Sequence, residues 1–157
     1  MDAQLGFDDV VKLLTVLRPF FLVEGEVAPA VGAAKDNATG AVARIILKDQ
    51  NVVPLDQVLP ILFNALPLKN DFIENRVVFR CIFQLFQSAS SDPKVMPVLN
   101  QHMDHLLAVF SYVLDDTRED QLGSETKSQL IALVGHLNTQ VEGVAPKIQA
   151  AGLSRYL

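Results

Sequence analysis

Apolar residues recur along nearly the whole chain at spacings of three and four, the period of an α-helix with one buried face. No alternating run of polar and apolar residues reaches the length of a β-strand. Turn-forming residues such as Pro67, Gly123 and Gly143 separate the apolar segments. The pattern predicts seven helices, over residues 8–22, 28–48, 54–66, 71–88, 94–115, 124–140 and 145–153. Pro60 lies inside the third segment and predicts a kink there.

Short loops join successive helices, so neighbouring helices are expected to be antiparallel. Seven predicted helices correspond to three helix pairs followed by a terminal helix. The segment 71–88 is apolar on almost all sides and must therefore be covered by several neighbours. A middle helix in a stack of pairs meets that requirement. The sequence thus predicts an all-α fold in which residues 1–157 form a single domain.

Two acidic-asparagine pairs suggest an internal repeat. Asp36-Asn37 and Glu74-Asn75 lie 38 residues apart, and each pair is expected to open the second helix of a helix pair. The offset is just below the length of HEAT and armadillo repeats. Second helices of stacked pairs share one face, so the four side chains are expected to converge.

The chemistry of these pairs allows two interpretations. Carboxylate and amide oxygens are acceptors for an incoming ammonium group. Acidic residues also favour the first turn of a helix because of the helix dipole. The residues alone leave ligand binding and helix capping equally open.

Composition and charge exclude several classes of protein. Half of the residues are apolar and a fifth are charged, as in globular proteins. A formal net charge of −5 argues against direct nucleic-acid binding, which needs a basic surface. No apolar run approaches the roughly 18 residues of a membrane span, so no membrane partner is expected. The single cysteine, Cys81, precludes an internal disulfide or a cysteine-based zinc site, and its apolar surroundings predict a buried side chain.

No catalytic or cofactor motif is apparent. His102 and His105 could present two imidazoles to a metal ion, but no third ligand is near, and an exposed helix face is the simpler interpretation. The acidic segment 115–120 is interpreted as a solvated turn, with contact to a basic ligand as the alternative. The sequence predicts neither an enzyme nor a bound cofactor.

Two segments resemble the C-terminal HEAT repeats of the importin-β family (β-karyopherins), especially the importin-4 branch and its fungal relative. They are residues 34–46, AKDNATGAVARII, and residues 57–75, QVLPILFNALPLKNDFIEN. The clear likeness covers roughly residues 10–90. It implies a right-handed α-solenoid of HEAT repeats, the C-terminal fragment of a much longer nuclear transport receptor that shuttles between cytoplasm and nucleus.

The resemblance also implies partners and a site. The expected cargo is basic protein, such as histones H3 and H4 or ribosomal proteins, and nucleoporins are further possible partners. Ran-GTP is expected to bind only the N-terminal repeats that this chain lacks. A pocket for a cargo lysine is expected at Asn37, Glu74 and Asn75, with Asp36 at its rim. The alternative is a HEAT scaffold outside transport, such as a phosphatase regulatory subunit or a chromosome or microtubule assembly factor.

Overall fold

The computed structural model describes residues 4–157, and this range is helical with no strand. The α-helices are α1 Phe7–Phe21, α2 Pro29–Lys48, α3 Leu55–Asn64, α4 Asn75–Ser88, α5 Met96–Gln101, α6 Met103–Leu114, α7 Ser124–Gln140 and α8 Ala145–Ala150. Single 3-10 turns lie at Gln50–Val52, Phe72–Glu74 and Leu153–Tyr156.

The helices are arranged in two layers. The second helices of the three pairs form one layer, in which α2 packs against α4 and α4 against α7. The other layer contains α3, α5, α6 and α8, with α3 against α5 and α6 against α8. Helix α1 packs on α2. The fold is the predicted α-solenoid of stacked HEAT helix pairs.

Helices α2 and α4 run in the same direction, as expected for second helices of adjacent pairs. Arg44 in α2 contacts Glu74 immediately before α4. Gln50, just beyond the end of α2, hydrogen-bonds Gln84 and Ser88 near the end of α4. Contacts therefore advance along both helices together, which fixes their relative direction.

Helix α4 lies at the centre of the hydrophobic core. Phe79 is fully buried, with its ring centroid 6.2 Å from that of Phe83 and 6.2 Å from that of Phe110 in α6. Cys81 is buried as predicted, and its burial raises the thiol pKa to about 12. Because both layers contact α4, most of its apolar surface is covered, although Phe83 and Phe86 stay half-buried and Ile73, just before the helix, is 79% exposed.

Two predicted helices differ in detail. The segment 94–115 forms two helices, α5 and α6, because His102 leaves helical geometry with φ −103° and ψ 8°. The break falls where the His102 ring packs edge-on against Phe63, 5.6 Å between centroids. The segment 71–88 begins with the 3-10 turn Phe72–Glu74 before α4. Helix α3 continues through Pro60 to Asn64.

Helix α1 leaves much apolar surface uncovered. Among its residues only Val10 is buried, whereas Phe7, Leu13, Val16 and Phe20 are each more than 40% exposed. Leu14 and Leu17 are half-buried and line a groove between α1 and α3.

Hydrogen exchange is expected to differ sharply between α1 and α4. Helix α1 has few buried contacts, so it should open locally at low free-energy cost, whereas α4 should open only when the core does. Amide exchange measured by mass spectrometry should be about ten-fold or more faster in α1. Equal protection of the two helices would show that α1 is as firmly held as the core.

Candidate functional site

A polar seam lies where α2 meets residues 69–75. Every fourth residue of α2 faces this segment, because residues four apart share one side of a helix. The positions are Gly32, Asp36, Gly40 and Arg44. We call this contact the seam; it holds or borders all four side chains predicted for lysine binding.

Asp36 organises the backbone before α4. Its Oδ2 accepts hydrogen bonds from the backbone N–H groups of Lys69, Asn70 and Asp71, at 3.1, 2.7 and 2.8 Å. Successive N–H groups that converge in this way form an anion-binding concavity. Asp36 is only 4% exposed and lies in the second turn of α2, not at its start. The predicted place at the rim is therefore wrong, because the carboxylate is turned inward to bind the loop.

Two glycines allow the close approach of α2 to the segment. A Cβ atom at Gly40 would lie 1.6 Å from Oε2 of Glu74, and one at Gly32 would lie 2.1 Å from Nδ2 of Asn70. Any larger residue at either position would have to displace the facing side chain. The seam thus depends on small residues at both ends.

Glu74 is the recessed carboxylate of the seam, with its side chain 10% exposed. Arg44 Nη2 donates a hydrogen bond to Oε1 at 3.2 Å, and Nη1 lies 2.8 Å from Oε2. The second contact is an ionic approach without hydrogen-bond alignment, and Oε2 is buried without a hydrogen-bond donor among the described residues. Arg44 is 55% exposed, so one side of the pair faces solvent. The carboxylate retains acceptor capacity at Oε2, which a ligand can reach only if Arg44 moves.

Asn75 faces away from Glu74, towards the third helix pair. Its Nδ2 donates to the backbone carbonyl of Gln121 at 3.2 Å, and the residue is 1% exposed. Its Oδ1 is buried without a hydrogen-bond partner among residues 4–157. Asn75 therefore fixes the loop before α7 and offers no atom to the surface, contrary to its predicted role as a lysine contact.

Asn37 lies at the exposed edge of the seam. Its Nδ2 donates to the Ala33 carbonyl at 2.8 Å and to Oδ2 of Asp71 at 3.2 Å. These bonds orient the side-chain amide and leave Oδ1 as an acceptor at the surface. Asp71 is half-buried, and its backbone carbonyl accepts the N–H of Glu74 at 3.3 Å. Asn37 therefore contacts Asp71, which is joined to Glu74 by a backbone hydrogen bond at the start of α4.

The sequence pattern missed two members of this group. Asp71 and Arg44 carry the accessible charges of the seam beside Glu74, but neither belongs to an acidic-asparagine pair. The four-residue spacing of Gly32, Asp36, Gly40 and Arg44 was the available signal, since it marks one helix side with small and charged residues.

The acidic segment 115–120 is largely engaged in local contacts. Asp115 accepts hydrogen bonds from the Thr117 hydroxyl and backbone N–H, which lower its pKa. The N–H groups of Leu122 and Gly123 lower the pKa of Asp120, and Asp116 pairs with Lys127. These bonds close the loop before α7 and make it a weaker candidate for a basic ligand than the seam.

The histidine pair has a packing role. Nε2 of His105 lies 2.8 Å from the Phe63 carbonyl, and His102 packs against the Phe63 ring. Both residues are half-buried, which corrects the expected exposed face. Among residues 4–157 no three metal-ligating side chains cluster. No helix within that range is both long and apolar enough to cross a membrane.

Comparison with known proteins identifies relatives for most of the chain. It is 38% identical over 136 residues to the probable importin subunit beta-4 of Schizosaccharomyces pombe, covering 87% of this chain and 12% of that protein. It is 33% identical over 129 residues to human importin-4, covering 82% of this chain and 11% of that protein. No family model matches the chain. The chain spans only about an eighth of these relatives, and by sequence and stacked-helix architecture it is a relative of the importin-β family.

Proposed function

We propose that this chain is a cargo-binding part of a nuclear import receptor, and that the seam binds a lysine of basic protein cargo. The cargo would be a histone H3 or H4 tail or a ribosomal protein. The receptor would reside in both the cytoplasm and the nucleus. Ran-GTP would bind other repeats of the whole receptor, and nucleoporins are further candidate partners.

The observation that carries the proposal is the recessed Glu74 carboxylate beside surface acceptors, in a chain related to proteins named importins. An ammonium group has three donors and no acceptor. Glu74, Asp71 and Oδ1 of Asn37 are acceptors for it at the start of α4. Asp36 and Asn75 would act as positioning residues, because both are buried in bonds to loop backbone.

Arg44 competes with a cargo lysine for the Glu74 carboxylate. Its guanidinium already contacts Glu74, so a cargo ammonium must share the carboxylate or displace Arg44. Arg44 is more than half exposed, so its side of the pair is screened by water, but the buried Glu74 carboxylate needs a cationic partner. A cargo ammonium that replaces Arg44 would keep that carboxylate paired.

Substitutions of the two partners are expected to change cargo affinity in opposite directions. Glu74→Gln should weaken binding of a histone H3-tail peptide by about ten-fold or more, because hydrogen bonds to a charged group are the stronger ones. Arg44→Gln should strengthen binding by up to about five-fold, because the competing cation is gone. Isothermal titration calorimetry measures both, with Glu142→Gln, an exposed glutamate outside the seam, as the charge-matched control.

Acetylation of the peptide supplies a second control. Acetylation of each lysine removes its charge and two of its donors, so the acetylated peptide should bind wild type weakly and show no difference between wild type and Glu74→Gln. A HEAT scaffold outside transport predicts no lysine-dependent capture. If Glu74→Gln and Arg44→Gln weaken binding equally, the ion pair supports the fold and does not receive cargo.

A further inference from the structure

A second groove lies between α4 and α7 and reaches Leu47 near the end of α2. It has a volume of about 950 Å³. Its apolar lining is contributed by half-buried side chains, which include Phe83 and Phe86 of α4 and Leu133 of α7. These side chains contact the core yet keep one face open to the groove. An open apolar strip of this kind can bury further surface when a ligand covers it.

Two arginines stand along the α4 side of this groove. Arg76 and Arg80 are four residues apart and hence on one side of the helix, and both are exposed. Within residues 4–157 neither has an ion pair, a hydrogen bond or a ring contact. Arg44, Arg118 and Arg155 each lie within 4.0 Å of a carboxylate, whereas Arg18 of α1 has no such contact within the described range either. The groove therefore holds two guanidinium groups that the fold does not use.

The local charge is opposite to that of the whole chain. Acidic residues outnumber lysine and arginine by 18 to 13 overall. The residues that line the groove include two cations, Arg76 and Arg80, one carboxylate, Glu125, and one histidine, His136. The remaining polar lining is uncharged, mainly glutamine, serine and threonine. The groove is thus a basic site in an acidic chain.

We infer that this groove binds an acidic segment of a partner protein, with carboxylates on Arg76 and Arg80 and an adjacent apolar side chain against Phe83, Phe86 and Leu133. The planar guanidinium fork matches a carboxylate and can bind it with two parallel hydrogen bonds. Nucleic acid fits less well, because two arginines in a chain of net charge −5 offer few phosphate contacts. The site is independent of the lysine site, since it selects the opposite charge through different side chains.

Fluorescence anisotropy with the full chain tests the inference. The probe is a labelled peptide in which glutamates flank a leucine–phenylalanine pair, and its partner peptide carries glutamine at the same positions. Wild type should bind the acidic peptide about ten-fold or more tightly than the glutamine peptide. The double variant Arg76→Gln/Arg80→Gln should lose that preference, whereas Arg18→Gln, an exposed arginine outside the groove, should retain it.

A variant on the opposite wall separates groove binding from diffuse attraction. Ala132 of α7 is exposed and lines the groove. Ala132→Glu should abolish acidic-peptide binding, because it places a carboxylate in the groove and its longer side chain occupies part of the apolar strip. Unchanged helical content and melting temperature establish that each variant is folded, as expected for exposed side chains without partners.

Several results would overturn the inference: no binding of the acidic peptide by wild type, equal binding of the two peptides, or full binding by the double variant or by Ala132→Glu. A single-stranded oligonucleotide that binds through Arg76 and Arg80 while the acidic peptide does not would identify a nucleic-acid site instead. Histone H3-tail binding should be unaffected by Ala132→Glu, so failure of this inference leaves the lysine site untouched.

Discussion

Phe79→Ala is expected to lower the free energy of unfolding by about 3–5 kcal/mol, because it opens a cavity where α4 meets α6. The ring is fully buried and packs against Phe83 and Phe110. Deleting it removes apolar contacts from both layers, and the surrounding helices are held by their own loops, so they can close the cavity only in part. Chemical denaturation followed by far-ultraviolet circular dichroism measures the loss.

The matched control is Phe7→Ala in α1. Phe7 is 57% exposed, so its removal should change the free energy of unfolding by no more than about 0.5 kcal/mol. A loss at Phe79 as small as that at Phe7 would mean that α4 is not covered on several sides. That result would contradict the two-layer arrangement.

Asp36→Ala is expected to lower the free energy of unfolding by about 2–4 kcal/mol, which is the second-largest effect. One carboxylate oxygen accepts three backbone N–H groups, and hydrogen bonds to a charged acceptor contribute more than neutral ones. Removing it leaves three converging donors without their acceptor, and the segment before α4 loses its anchor on α2. Asp36→Asn should cost less, because the amide oxygen can still accept.

The control for Asp36 is Asp56→Ala in α3, an exposed aspartate in the first turn of its helix, whose loss should cost only the helix-dipole interaction of about 0.3–1 kcal/mol. The two substitutions remove the same charge, so a difference between them reports the three hydrogen bonds and not net charge. A neutral Asp36→Ala would show that the loop before α4 is held by other contacts, with the seam carboxylates positioned without Asp36.

The helical stack can be predicted from the sequence, because the features that specify each helix are local to its segment. Apolar spacing and turn residues mark the helices, and the almost uninterrupted apolar surface of 71–88 requires neighbours on several sides. The structure confirms α4 as that central helix. The break at His102 could not be predicted, because it lies at a contact with Phe63, which is far away in the chain.

The site is predictable only in part, for the same physical reason. The sequence predicts that Asn37 and Glu74 lie on the same face, because the second helices of stacked pairs are in register. The partners of Asp36 and Asn75 are backbone groups 33 to 46 residues away, and no local pattern specifies backbone hydrogen bonds over that distance. Sequence therefore placed the polar residues together but could not tell which face solvent and which brace the loops.

The most direct test of the proposed lysine site is an NMR titration of the isotope-labelled chain with the histone H3-tail peptide. The backbone amide signals of Asn37, Gly40, Asp71 and Glu74 are expected to shift together and to saturate at one affinity. The same signals should remain unchanged with the lysine-acetylated peptide. Shifts confined to residues 115–120, or equal shifts with both peptides, would contradict the proposal that the seam binds a cargo lysine.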